Sequence, residues 1–244
     1  MSDIKSFIDE LKQLNEKDCF AVHIPSLNKS IRFKAFSVKQ HKDVVKSLLD
    51  GVEGGISMYK VFSDIILENS SEPVDFTLYD RNKILVDLRK QSISPLIKVN
   101  DAEYNLNSLP EFIFDFELTK KFKYKNITIT AAIPSLEEDL KVTEKSILEF
   151  NKSSVDDKKI GNSLNILLTY ELIKFIDAVE IDDSLLKMNQ LGIYDRKNII
   201  ENLPLKLNND ILEYIARYKE YEQGLFTFPD GTKLSIDASF LSAE

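Results

Sequence analysis

Thr77-Leu78-Tyr79-Asp80-Arg81-Asn82-Lys83-Ile84-Leu85-Val86-Asp87-Leu88-Arg89-Lys90-Gln91-Ser92-Ile93-Ser94-Pro95-Leu96-Ile97-Lys98-Val99 changes its hydrophobic period part-way along. Thr77 to Asp80 resembles a capping box, with Asp a weaker partner than Glu at the fourth position, and Ile84, Leu85 and Leu88 follow at helical spacing. From Pro95 onward the apolar residues alternate instead: Leu96, Ile97 and Val99, then Tyr104 and Leu106, then Phe112, Phe114 and Phe116, then Ile127, Ile129 and Ala131. Period two over that length predicts three to five strands, with the three phenylalanine rings buried on one sheet face. A helix giving way to strands predicts an α+β fold.

Toward the N-terminus, Ile4, Phe7, Ile8, Leu11 and Leu14 predict an amphipathic helix over Asp3 to Asn15. Phe20, Val22 and Ile24, then Ile31, Phe33 and Ala35, predict a hairpin around Pro25 to Lys29. Ser37 is placed to cap a helix carrying Val44, Val45, Leu48 and Leu49, with Gly51 to end it. Met58, Val61, Phe62, Ile65 and Ile66 form the buried face of the next helix, and Pro73 lies beyond its end.

Toward the C-terminus, helical spacing returns in Glu144 to Phe150 and in Leu164, Leu167, Leu168, Leu172, Phe175, Ile176 and Val179; the wide apolar arc of the second predicts a central core helix. A short helix from Tyr194 to Leu203 precedes Pro204, and Asn208 or Asn209 is placed to cap another through Tyr218, with Gly224 as its stop. Alternation on either side of Pro229-Asp230-Gly231 predicts a terminal hairpin. The organisation expected is therefore residues 1–95 (helix, hairpin and helices), 96–140 (β-rich middle), 141–223 (helical part) and 224–244 (hairpin tail). Ile-Pro-Ser-Leu occurs at 24–27 and at 133–136, but four residues do not establish an internal repeat.

Forty acidic against thirty-two basic residues leave a formal charge of -8, dispersed along the chain. A dense cationic surface is what a nucleic-acid partner needs, so that class is disfavoured. The densest basic stretch, Lys120 to Lys125, reads as a solvated hairpin turn. No run of apolar residues has the length of a membrane span, and no signal peptide is visible in residues 1–20. One cysteine, Cys19, excludes an internal disulfide and any multi-cysteine metal site, and suits a reducing cytoplasm.

Chemistry is sparsely marked. Cys19 and His23 lie four residues apart on one strand face, about 13 Å by strand rise, too far to touch. His41 falls in a polar helical turn and reads as solvated. Gly51-Val52-Glu53-Gly54-Gly55 lacks the Lys-Ser/Thr pair of a phosphate loop and reads as a helix-helix turn. Glu137-Glu138-Asp139, Asp156-Asp157 and Asp182-Asp183 lack calcium-loop spacing. No catalytic, cofactor-binding or metal-ligating residue is assigned, and no cofactor is expected.

Phe20-Ala21-Val22-His23-Ile24-Pro25-Ser26-Leu27, then Ile31-Arg32-Phe33-Lys34-Ala35-Phe36-Ser37-Val38-Lys39-Gln40, resembles the opening of T-even-type bacteriophage baseplate hub proteins. Leu78 to Ser92 is similar to that family's helix ending in Leu-Arg-x-x-Ser, and the segments Leu168 to Val179 and Leu203 to Tyr221 follow in similar order. The motifs consist of packing residues, and their joint order carries the resemblance over most of the chain. It implies a non-enzymatic hub subunit, or a factor that assembles the hub in the host cytoplasm and leaves the finished tail. Its partners would be other baseplate or tail hub proteins, with homo-oligomers allowed. Many relatives carry paired cysteines near the C-terminal hairpin; Phe226 to Gly231 has none, so no zinc knuckle is carried over. The alternative is a phage enzyme or regulatory domain, which needs a concave pocket with convergent polar groups of perturbed pKa.

The terminal hairpin is the candidate docking element, because Phe226, Phe228, Leu234 and Ile236 give it an apolar face and Phe240-Leu241 add apolar residues near the end. The competing expectation packs it on the chain's own C-terminal helices. One cysteine and two histidines do not complete a zinc site alone. Chelation is therefore expected to leave the melting temperature unchanged; stoichiometric zinc in the purified protein, lost together with the fold on chelation, would overturn this.

Overall fold

The computed structural model describes residues 4, 6, 7, 10, 11, 18–49, 54–111, 115–154, 160–182 and 184–241. Among them are seven α-helices and eight strands, an α+β fold as the change of period predicts. The chain divides into two compact units, residues 1–114 with 225–244, and residues 115–224. The second boundary lies one residue from the expected start of the hairpin tail, and the first lies within the expected β-rich middle. The β-rich middle is shared between the units, and the tail returns to the first.

In the first unit, β1 (Cys19–Ile24) and β2 (Lys29–Lys34) pair antiparallel, with Val22 opposite Ile31 and Phe20 opposite Phe33. Val22, Ile24, Ile31 and Phe33 are fully buried, so alternation places one face of the hairpin in the core. Asn28 makes the left-handed turn after the Pro25–Leu27 3₁₀ turn, at φ 48°. Helices α1 (Val38–Leu49), α2 (Gly54–Asn69) and α3 (Leu78–Ser92) follow. Ser37 caps α1 as expected: its hydroxyl accepts from the Gln40 amide at 3.2 Å while Gln40 Oε1 accepts from the Ser37 amide at 3.0 Å. Gly51 lies outside the described residues.

Asp80 explains how the hairpin and α3 are joined. Its side chain is fully buried and accepts four hydrogen bonds. The Ser26 amide reaches Oδ1 at 3.0 Å; the Ser26 hydroxyl (2.6 Å), the Thr77 amide (2.9 Å) and the Thr77 hydroxyl (2.7 Å) reach Oδ2. The shorter acid thus closes the capping box and also grips a turn 54 residues away in sequence. Ser135, in the other Ile-Pro-Ser-Leu, does something different: its hydroxyl accepts from the Glu138 amide at 3.2 Å and caps a helix. The two copies serve unrelated local structures.

After α3, β3 (Leu96–Val99) and β4 (Ala102–Asn105) form a hairpin whose turn residues Asn100 and Asp101 take φ 50° and 65°. A 3₁₀ turn, Leu106–Ser108, follows with Leu106 buried.

The second unit is built on a four-stranded antiparallel sheet in the order β5 (Thr119–Tyr124), β6 (Ile127–Ala132), β7 (Ile176–Ile181), β8 (Ser184–Lys187). The lysines expected in a turn lie within strand β5, with the turn itself at Lys125, φ 54°. Between β6 and β7 run α4 (Leu136–Ser154) and α5 (Ile160–Phe175); α6 (Ile193–Glu201) and α7 (Leu205–Leu225) follow β8. The helix expected through Val179 stops at Phe175, because Ile176 to Ile181 pairs with β6; Leu167 and Leu168 are exposed rather than central. Helix α7 begins before Asn208 and runs through Gly224, so neither acts as its cap or stop. Phe112 and Phe114 lie outside the described residues, and Phe116 sits in a bend with Tyr214, Tyr218 and Tyr221 at 5.5, 5.6 and 5.5 Å. Ion pairs tie the helices: Lys174 to Asp139 at 2.7 Å, Lys197 to Glu149 at 3.0 Å, and the buried Arg196 to Glu138.

Hairpins β3–β4 and β7–β8 share one construction. Each pairs four residues with four, turns through a residue of positive φ (Asn100 and Asp101, or Asp182), then enters a three-residue 3₁₀ turn opened by a buried apolar residue, Leu106 or Met188. Leu109 and Leu191 close the two turns with the same backbone bond.

Replacing Asp80 by Ala leaves the Ser26 and Thr77 donors without their acceptor, a loss of about 3 kcal/mol. Urea unfolding followed by far-UV circular dichroism is expected to show that loss for Asp80→Ala and about 1 kcal/mol for Ser26→Ala. Equal, negligible effects would remove Asp80 from this role.

Candidate interaction site

The terminal segment is where the sequence places the docking face. It turns as expected, with Gly231 at φ 87°, the Phe228 amide donating to the Thr232 carbonyl at 2.8 Å and the Leu234 amide to the Phe226 carbonyl at 2.8 Å. A single bridge, Thr227 to Lys233, stands in for the expected ladder. Tyr104 of β4 stacks on Phe228 with ring centroids 4.5 Å apart, and its hydroxyl lies 2.9 Å from both Asp230 and Thr232. The Thr232 amide, with the Tyr104 hydroxyl, holds the Asp230 carboxyl below the usual carboxylate range. Farther on, the Arg89 guanidinium lies 5.5 Å from the centre of the Phe240 ring, donates to the Phe240 carbonyl, and reaches the Leu96 carbonyl at 3.2 Å.

These contacts consume the apolar face. Phe226, Phe228, Leu234, Phe240 and Leu241 are buried and Ile236 is half-buried. Of the docking face expected of Phe226, Phe228, Leu234, Ile236, Phe240 and Leu241, all but Ile236 are therefore core of the first unit. The physical reason is that a short ribbon gains more from Tyr104 and Arg89, already in place, than from solvent exposure of five apolar side chains.

What the tail builds is a groove. Leu225 and Phe226 line an open cavity of about 430 Å³ together with Leu106, Leu109 and Pro110, and with the α3 face of Lys83, Val86, Asp87 and Lys90. Those four α3 residues fall at i, i+3, i+4 and i+7, one helical stripe. Asp87 accepts from Lys83 and, at 3.3 Å, from Lys90; the three side chains are 16, 20 and 24% exposed for Asp87, Lys83 and Lys90. His23 and Glu111 also line the groove and are exposed. The sequence reading missed this site. The signal was the stripe of alternating charge in Leu78 to Ser92, which by itself describes an ordinary solvated helix face.

Of the other marked residues, only His23 lines the groove. Cys19 is half-buried at the start of β1 and His23 is exposed at its fifth position. His41 is half-buried, edge-on to Phe36 at 6.3 Å, rather than simply solvated. Glu138 and Asp139 hold Arg196 and Lys174, and Asp182 accepts from Asn126 at 3.1 Å; Asp156 and Asp157 lie outside the described residues. Among the described residues no group of three or more His, Cys, Asp or Glu is arranged to hold a metal ion, and no helix is long and apolar enough to cross a membrane. A second open groove, of about 440 Å³ between α1 and α2, is lined by Asp64, Glu68 and Lys60; burial, reinforced by Glu68 against the pull of Lys60, raises the Asp64 carboxyl.

No known protein family, curated protein or solved structure matches the chain.

Ending the chain at Gln223 exposes the surfaces that Phe228 and Phe240 cover, and is expected to unfold or aggregate the protein. Phe240→Ala is expected to cost about 4 kcal/mol and Tyr104→Phe about 1 kcal/mol in chemical denaturation. A truncated protein melting at the full-length temperature would return the tail to a docking role.

Proposed function

We propose that the chain is a structural or assembly protein of the baseplate hub of a contractile-tailed bacteriophage, working through protein-protein contacts and not as an enzyme. The observation that carries the reading is the ordered resemblance of Phe20 to Gln40 and of Leu78 to Ser92 to the hub family. Those two segments are the ones that Ser26 and Asp80 bind together, so the resembling residues are the ones that build a single packed unit. Exposed apolar side chains support contact with other proteins: Ile4, Phe7 and Leu11 are 69, 61 and 46% exposed, and Leu185 on the edge strand β8 is 60% exposed. The partners are other baseplate or tail hub proteins, met in the host cytoplasm during assembly.

Mass spectrometry of purified virions, paired with deletion of the gene in the phage that encodes it, tests the reading. Recovery in stoichiometric amount identifies a hub subunit; absence from virions with loss of tails on deletion identifies an assembly factor. Absence from virions with normal tails after deletion would overturn the proposal.

A further inference from the structure

We propose that the groove between α3 and the Leu106 to Glu111 segment is a docking site for a partner segment that carries a carboxylate beside a large apolar side chain. The inference rests on the reading of the protein as one that acts by protein contact.

Charge is the first argument. Lys83 and Lys90 both reach Asp87, so two partly buried ammonium groups share one carboxylate. All three side chains are at least three-quarters covered, where water screens charge poorly. Glu111 lines the same groove, but it is exposed and its charge is screened. Lys83 donates to Asp87 Oδ2 and Lys90 to Oδ1, so the two positive charges face a single negative one, and a second carboxylate entering along the α3 stripe balances the surplus through a charge-assisted hydrogen bond.

The apolar lining is the second argument. Val86, Leu106, Leu225 and Phe226 are packed to 8% exposure or less, so they form a rigid wall rather than a collapsible surface. Leu109 and Pro110 stand more open at the same groove. A volume of about 430 Å³ falls in the range of clefts that take small ligands. An open groove walled by a helix, with charge on the helix and apolar residues opposite, suits a peptide segment presenting an acidic and an apolar residue in sequence.

The test uses the full chain with isotope-labelled leucine and valine methyl groups. The probes are acetyl-Leu-Phe-Glu-amide, its Gln counterpart, and acetyl-Leu-Phe with a free C-terminal carboxylate. Saturable shifts at Val86, Leu109 and Leu225 with the Glu peptide are expected, with binding about tenfold weaker for the Gln peptide. The free-carboxylate probe separates a chain end from an acidic side chain as the source of the charge. Lys90→Met and Lys83→Met are each expected to weaken binding about tenfold at unchanged melting temperature. Asp87→Asn, which keeps the side chain's shape and releases both ammonium groups, is expected to strengthen it severalfold, and keeps the test decisive should a lysine variant melt early. No saturable shift with either acidic probe, equal affinity for the Glu and Gln peptides, or binding indifferent to both lysine changes would overturn the proposal. Failure here with normal virion association removes the groove alone; peptide binding with no role in tails removes the hub reading and leaves the groove standing.

Discussion

A carboxyl group taken wholly out of water must be met by donors, and in the unit of residues 1–114 and 225–244 Asp80 is met by four. Two come from Thr77, which caps α3, and two from Ser26 in the turn of the β1–β2 hairpin. A helix start and a hairpin turn are each marginal alone, the first for want of satisfied amides and the second for want of a third strand. Joined at one buried side chain, they hold β1 and the Pro25–Leu27 turn against α3, and Val22, Ile24, Ile31 and Phe33 of the hairpin are buried, as are Ile84, Leu85 and Leu88 of the helix. Phe76, beside Thr77, completes this packing against Phe33 at 5.8 Å.

The far end of α3 repeats the device with a cation. Arg89 is almost fully buried, and its guanidinium gathers carbonyls from Leu96 and Phe240. One helix thus carries a buried acid at its start, which holds an early segment, and a buried base near its end, which holds the last one. Opposite charges at those ends also match the helix dipole. The remaining stripe of α3, Lys83 to Lys90, is left at the surface beside the tail. The groove there is formed where the tail closes beside that stripe.

The second unit meets the same demands differently. Its two hairpins share one sheet, and Arg196, Lys174 and Lys197 link α6 and α5 to α4 by ion pairs. The matching construction of β3–β4 and β7–β8 shows that one local recipe, a four-residue ladder with a left-handed turn and a leucine-closed 3₁₀ turn, serves in a lone hairpin and in a larger sheet alike. Its sequence cost is small: a turn residue tolerant of positive φ and an apolar residue straight after the second strand.

Composition and period alone determined the α+β class, the caps at Ser37 and Thr77, the first hairpin and the turn at Gly231, since each rests on local preferences that act within a few residues. Tertiary structure decided the rest. Ile176 to Val179 carry a helical spacing, yet become strand because β6 offers unpaired backbone groups beside them, which periodicity cannot see. Phe226, Phe228, Leu234, Phe240 and Leu241 read as an apolar face that either docks a partner or packs on the chain itself, and they are buried because Tyr104 and Arg89, more than a hundred residues away, meet Phe228 and Phe240. The groove was illegible for the same reason: its charged wall lies in one helix, while its apolar wall comes from two segments that only folding brings together.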